Sequence, residues 1–255
     1  MRDITYPPII VTAKALFRTL GLRFQLSGTE HVPRTGGAML AINHVGYVDF
    51  VLAGYAAQPS GRLVRFMAKK EVFDHPVGGP VMRSMHHIAV DRDNGIGSLK
   101  DALRYLKSGE VVGIFPEATI SRSFEIKEIK SGAVRIAAQA KVPLIPVILF
   151  GTQRLMTKGH PRSLHGRKTI AIRVGEPMHV TGRDAEAETV ELHRRLQALL
   201  DETVAAYPEA EKKPGSWWIP ARLGGSAPTL EEAEQLDRDE KRERAARRQA
   251  ARAKK

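Results

Sequence analysis

The chain has 255 residues, no cysteine, and 40 Lys+Arg against 28 Asp+Glu, a net charge of +12 with histidine neutral. A disulfide scaffold and a cysteine nucleophile are excluded, and 42% apolar with 27% charged residues argues against a disordered chain. The basic excess predicts an anionic partner, but residues 241–255 carry eight Lys/Arg and one acid, and with no nucleic-acid-binding fingerprint in the body no nucleic acid is expected among the partners.

In chain order, residues 1–8 lack the basic-then-apolar layout of a signal peptide. Ile9, Ile10, Ala13, Leu16, Phe17 and Leu20 then recur at helical steps after Pro7-Pro8, with Lys14 and Arg18 on polar positions. This predicts an amphipathic helix that either packs on the domain or lies on a membrane surface. Strands are predicted over residues 22–26, 37–42, 63–67, 88–90, 111–115, 144–150 and 169–174, and helices over 48–57, 96–106 (closed by Gly109), 132–140 and 184–206. Residues 35–61 contain a single formal charge, Asp49, and are long enough to span a bilayer. Asn43, His44 and Asp49 in the middle would be costly in hydrocarbon, so the stretch reads as a buried strand, a polar loop and a helix.

Strands alternating with helices predict an α/β fold, one domain with a mostly parallel sheet of about seven strands flanked by helices, plus an N-terminal amphipathic helix and a C-terminal extension. The boundaries read as 1–21 for the helix, 22–207 for the body and 208–255 for a Trp-containing joint and basic tail. Trp217-Trp218 either packs back onto the body or anchors at a lipid–water boundary.

The candidate chemistry begins in Asn43-His44-Val45-Gly46-Tyr47-Val48-Asp49-Phe50, just after a predicted buried strand, where α/β sheets place their sites. A histidine takes a proton from a hydroxyl, and a carboxylate on its other ring nitrogen fixes the tautomer. With no nucleophile of its own, the pair would act on a substrate hydroxyl. Phe115-Pro116-Glu117-Ala118-Thr119-Ile120-Ser121, followed by Arg122, Lys127 and Lys130, puts a carboxylate, hydroxyls and cations after another strand, a composition suited to a phosphorylated polyol. Adjacent His86 and His87 would point to opposite faces of a strand, and no metal-ligand spacing accompanies them, so no metal is expected. No Gly-x-Ser-x-Gly elbow is present.

Together these blocks resemble the glycerophospholipid acyltransferase family, which includes the 1-acylglycerol-3-phosphate acyltransferases. His44 and Asp49 stand at the family's His-x4-Asp, and Phe115-Pro116-Glu117 with Thr119 and Ser121 at its Phe-Pro-Glu-Gly-Thr-Arg-Ser block. Ala68-Lys69-Lys70-Glu71, Lys130-Ser131-Gly132-Ala133 and the apolar run from Val142 to Val147 resemble further family blocks. Ala118 replaces a glycine, His86 and Ala89 replace a glycine and a phenylalanine, and Ile120 replaces an arginine.

The resemblance implies transfer of a fatty acyl group from acyl-CoA or acyl carrier protein, with no bound cofactor, to the hydroxyl of lysophosphatidate. His44 and Asp49 would be catalytic, and a backbone N–H near Gly46 is a candidate for the oxyanion. Glu117, Thr119, Ser121, Arg122, Lys69, Arg92 and Lys130 would bind the acceptor. Because Ile120 cannot grip a phosphate as an arginine fork does, either Arg122, Arg92, Lys69 or Lys130 takes it, or the acceptor is glycerol-3-phosphate or a glycolipid. Lipid substrates and the basic tail imply peripheral attachment to an anionic membrane surface on its cytoplasmic face. A noncatalytic binding protein carried by the tail is the reading from a different class.

Overall fold

The computed structural model describes residues 3–91 and 95–253. Short runs rich in β-branched residues form strands β1 (Leu22–Ser27), β2 (Ala38–Ile42), β3 (Val64–Lys69), β4 (Ile88–Val90), β5 (Val111–Ile114), β6 (Leu144–Phe150) and β7 (Lys168–Val174). They make one seven-stranded sheet in the order β1-β7-β6-β2-β5-β3-β4. Neighbours pair in parallel except β6 with β7, where Val147 faces Val174 and Phe150 faces Ala171 in antiparallel register. The five strands β6, β2, β5, β3 and β4 therefore share one direction.

Both faces of the sheet are covered, which is why the central strands read as continuous apolar runs. Side chains alternate between two cores. Met39, Ala41, Val112, Ile148 and Phe150 join a core with α5 (Ile96–Lys107), α6 (Gly132–Ala140) and α7 (Ala185–Ala205). Leu40, Ile42, Val64, Phe66 and Leu149 join the other, which includes Phe17 of α1 (Tyr6–Thr19) and Leu52 and Ala53 of α2 (Asp49–Ala53). Asp184 caps α7, its Oδ1 accepting from the Ala187 amide at 2.9 Å, the arrangement expected of an aspartate before an apolar-periodic segment.

The predicted strands and the helices over 96–106, 132–140 and 184–206 form within a residue or two of their expected ends, whereas the helix expected over 48–57 is α-helical only over Asp49–Ala53 before a 3-10 turn at Gly54–Ala56, and α1 begins at Tyr6, ahead of Pro7-Pro8. Two short helices, α3 (Lys70–Phe73) and α4 (Gly78–Ser84), were not expected, because the Pro76 and Gly78-Gly79-Pro80 punctuation between them reads as loop. The reading of His86 and His87 as strand residues is corrected: His86 has φ of 57° and β4 starts at Ile88. Burial pushes the pKa of His87 down to about 4, and its Nδ1 accepts the Phe66 amide at 3.0 Å. Among the described residues no cluster of three or more potential ligands could hold a metal, and no helix is long and apolar enough to cross a membrane.

Of the two open choices of the sequence, the tryptophan pair resolves toward packing, while α1 packs on the body by one side and keeps apolar residues exposed on the other. In α1, Tyr6 and Phe17 are buried and the Tyr6 hydroxyl donates to the Val64 carbonyl at 2.8 Å, while Val11 and Leu16 stay exposed. Trp218 packs against Phe150 and Tyr207, with ring centroids 5.6 and 5.3 Å apart, and Trp217 stacks on His160 at 3.8 Å. Trp218, Ile219 and Ala227 belong to the same core as the sheet, so the segment after residue 207 is continuous with the body in its packing. It ends in α8 (Leu230–Ala253).

Candidate active site

Because β2, β3, β4, β5 and β6 run the same way, their C-terminal ends gather at one edge. His44 follows β2, Lys69 ends β3, Phe115 to Ser121 follow β5, and Thr152 follows β6. Loops that are far apart in sequence are thus brought to one edge of the sheet by topology.

Asn43 is buried and ties the end of β2 to β6: its Nδ2 donates to the Leu149 carbonyl at 3.0 Å, and its Oδ1 accepts the Leu149 amide at 2.7 Å. His44 follows, with 22% of its side chain accessible. Its Nδ1 meets Asp49 Oδ2 at 2.9 Å, and its ring stacks on Phe115 with centroids 4.4 Å apart. Asp49 is fully buried, and its Oδ2 also accepts the Val45 and Gly46 amides at 2.7 and 2.8 Å. Its Oδ1 accepts the Thr152 hydroxyl at 2.6 Å. A buried carboxylate is stable when donors converge on it in this way, and Nε2 of His44 is left as the proton-accepting position.

The expectation of an oxyanion donor near Gly46 is corrected by this geometry. The Asn43 amide goes to Val147, the His44 amide to Glu117, those of Val45 and Gly46 to Asp49, and that of Tyr47 to Met156. A Cβ on Gly46 would sit 3.0 Å from the Met156 carbonyl oxygen and 3.1 Å from Asp49 Oδ1, so the tight turn favours glycine.

Glu117 is fully enclosed. Its Oε1 accepts the His44 amide at 2.9 Å and its Oε2 the Lys127 amide at 3.1 Å. Burial pushes its pKa up to about 7 against the pull of those two amides. Ser121 is also buried, its hydroxyl donating to the Glu125 carbonyl at 2.8 Å and its amide to the His44 carbonyl at 2.7 Å. Glu117 and Ser121 therefore brace the His44 backbone, and both are buried. Ala118 has φ of 58°, a left-handed backbone that suits glycine, and Ile120 is buried.

Thr119 Oγ1 accepts from Lys127 Nζ at 3.1 Å. Arg122 and Lys127, together with Lys158, meet the carboxylates of Asp237 and Glu240 on α8. Lys69 and Lys130 are exposed, at the ends of β3 and of the loop before α6. Arg92 lies outside the described residues. Thr152, Thr157 and Lys158 escaped the sequence reading, and Asn43 and Phe115 lay within its candidate blocks without an assigned role. Thr157, for instance, donates to the Val45 carbonyl at 2.7 Å across a separation that no local motif reports.

The family model described as Acyltransferase matches residues 23–149. The chain is 32% identical over 204 residues to a 1-acyl-sn-glycerol-3-phosphate acyltransferase of Bacillus subtilis, covering 79% of this chain and 96% of the relative. It is 34% identical over 143 residues to one of Limnanthes douglasii, covering 54% and 49%. The crystal structure of the 1-acyl-sn-glycerophosphate (LPA) acyltransferase PlsC from Thermotoga maritima superposes with a TM-score of 0.66 over 79% of this chain and 80% of that one, at 23% identity, a likeness of fold.

Proposed function

The chain belongs to the acyltransferase family and is an O-acyltransferase; from that premise we propose that it acylates the free hydroxyl of lysophosphatidate, forming phosphatidate for phospholipid synthesis. The observation that carries the mechanism is the Asp49-bound, partly accessible His44. Asp49 holds Nδ1–H and stabilises the imidazolium that forms. Nε2 takes the proton of the acceptor hydroxyl as its oxygen attacks the carbonyl carbon of an acyl thioester. A C–O bond forms, the C–S bond breaks, and the thiolate leaves and recovers the proton held by His44. A thiolate of coenzyme A or acyl carrier protein needs little acid assistance, which fits a site built on one His–Asp pair.

Thr119, Arg122, Lys127 and Lys158 supply the hydroxyl and positive charge for the acceptor's glycerol phosphate, in place of the arginine lost at Ile120, with Lys69 and Lys130 at the same sheet edge. The protein works peripherally on an anionic membrane at its cytoplasmic face, presenting exposed Val11 and Leu16 of α1 and the basic end of α8. Support for the acceptor comes from relatives named for that reaction.

The test is thiol release from palmitoyl-coenzyme A by wild type and His44→Ala, offered separately lysophosphatidate, glycerol-3-phosphate, an uncharged lysolipid and buffer. Release that requires both His44 and lysophosphatidate is expected. Release with glycerol-3-phosphate or the uncharged lysolipid alone reassigns the acceptor, and His44-independent release overturns the mechanism.

A further inference from the structure

The three cations beside the site already hold an anion, and it is part of the chain. Asp237 Oδ1 accepts from Arg122 Nε at 3.1 Å and from Lys158 Nζ at 3.0 Å, while its Oδ2 accepts from Lys127 Nζ at 2.6 Å. One helical turn on, Glu240 Oε2 accepts from Arg122 Nη2 at 3.0 Å and lies 3.5 Å from Lys158 Nζ. A guanidinium and two ammonium groups converging on one carboxylate reproduce what a phosphate monoester would receive.

Each cation is coupled to the His44 loop. Arg122 adjoins Ser121, whose amide bonds the His44 carbonyl. The Lys127 amide bonds Glu117, which also holds the His44 amide. Lys158 adjoins Thr157, whose hydroxyl bonds the Val45 carbonyl. The carboxylates of α8 thus occupy positive charge on segments that are hydrogen-bonded to the His44 loop.

The attachment of α8 is mainly ionic. A capping box starts the helix, with Glu232 accepting the Thr229 amide at 2.8 Å and Thr229 Oγ1 accepting the Glu232 amide at 3.2 Å. Among the described residues of α8, Ala233 alone is buried; Leu230 and Leu236 are exposed. The helix is also split by charge. Residues 230–240 hold six acids and one arginine, and residues 241–255 hold eight bases and one acid, with Arg242, Arg244 and Arg247 exposed. An anionic bilayer attracts the second half and repels the first.

We propose that α8 is an autoinhibitory latch: Asp237 and Glu240 occupy the cation cluster as a tethered stand-in for a phosphate group, and an anionic lipid surface withdraws them by engaging the basic half of the same helix. This rests on the acyl-transfer reading for its substrate but not for its motion. An internal competitor raises the apparent KM of the acceptor by the reciprocal of the fraction of molecules it leaves open.

The experiment compares full-length wild type with the double variant Asp237→Asn/Glu240→Gln. Lysophosphatidate is presented in neutral detergent micelles and then in phosphatidylcholine vesicles with and without phosphatidylglycerol. In micelles the KM for lysophosphatidate is expected to fall about fivefold in the variant with kcat little changed. Phosphatidylglycerol is expected to lower the wild-type KM and leave the variant's unmoved. An unchanged or raised KM in the variant, or an equal response of both proteins to phosphatidylglycerol, overturns the latch.

A second measurement does not depend on the variant folding. The cysteine-free chain accepts nitroxides at Leu164→Cys and Glu234→Cys, and the distance between them is expected to lengthen when anionic vesicles are added. A constant distance overturns the proposal. A lengthened distance in a protein that transfers no acyl group to any acceptor upholds the latch and rejects the acyl-transfer reading instead.

Discussion

From Asn43 to Tyr47 every backbone amide is donated within the protein, and the carboxylate that orients His44 is fully buried. At the neighbouring cluster, Arg122, Lys127 and Lys158 meet Asp237 and Glu240 through long side chains that each keep 14–25% of their surface accessible. The first region is positioned by short side chains and main chain reaching across strands β2 and β6, so its geometry is set when the sheet forms. The second is held by charges on flexible stems, which solvent and salt weaken. On the proposed function, chemistry that needs a proton acceptor at a defined angle would use the rigid region, and recognition of a mobile lipid headgroup the exchangeable one.

The sharpest way to break this contrast is Asp49→Asn. The amide would present a donor to groups that themselves donate, and acyl transfer is expected to fall by about 10³-fold in steady-state rate; a loss under tenfold would mean that the carboxylate does not organise His44. Thr152→Val keeps the shape and removes one donor to a buried carboxylate oxygen. Denaturant unfolding should show a loss of about 1–3 kcal/mol together with a slower kcat, and an unchanged kcat would detach Thr152 from the rigid region.

Glu117 tests the hinge between the two regions by pH. Its folded pKa, about 7, is raised above the unfolded value near ~4.3, so the folded state binds more protons between them and stability falls as pH rises through that window. Against Glu117→Gln, the wild-type unfolding free energy is expected to decline across that window with a slope approaching about 1.4 kcal/mol per pH unit, and parallel curves would remove Glu117 from the account. The smallest effect belongs to Ala118→Gly. Relief of a left-handed alanine, about 1–2 kcal/mol, is offset by glycine's greater unfolded-state freedom, about 0.5–1 kcal/mol, for a net gain of up to about 1 kcal/mol in urea unfolding. A loss of stability would mean that the methyl group packs favourably.

Strand positions were legible because apolar runs bounded by turn residues record burial on two faces, and α6, α7 and the Asp184 cap follow from local periodicity and capping. His44 with Asp49 was legible for the same local reason: a five-residue spacing lets one loop close on itself. Residues 70–84 were not, because breakers hide helices of one or two turns whose formation depends on packing.

By itself the sequence determined the α/β alternation, the His44–Asp49 pair and the strand-end setting of the second block, since each is a property of neighbouring residues. Only the tertiary structure decided that Glu117 and Ser121 brace the His44 backbone, that Thr152 completes the shell around Asp49, that Trp218 enters the core, and that a tail rich in positive charge turns its acidic side onto Arg122, Lys127 and Lys158. Those pairings join residues far apart in the chain. They exist because a parallel sheet brings its strand ends to one edge and because unpaired charge near that edge draws in whatever opposite charge the fold can deliver.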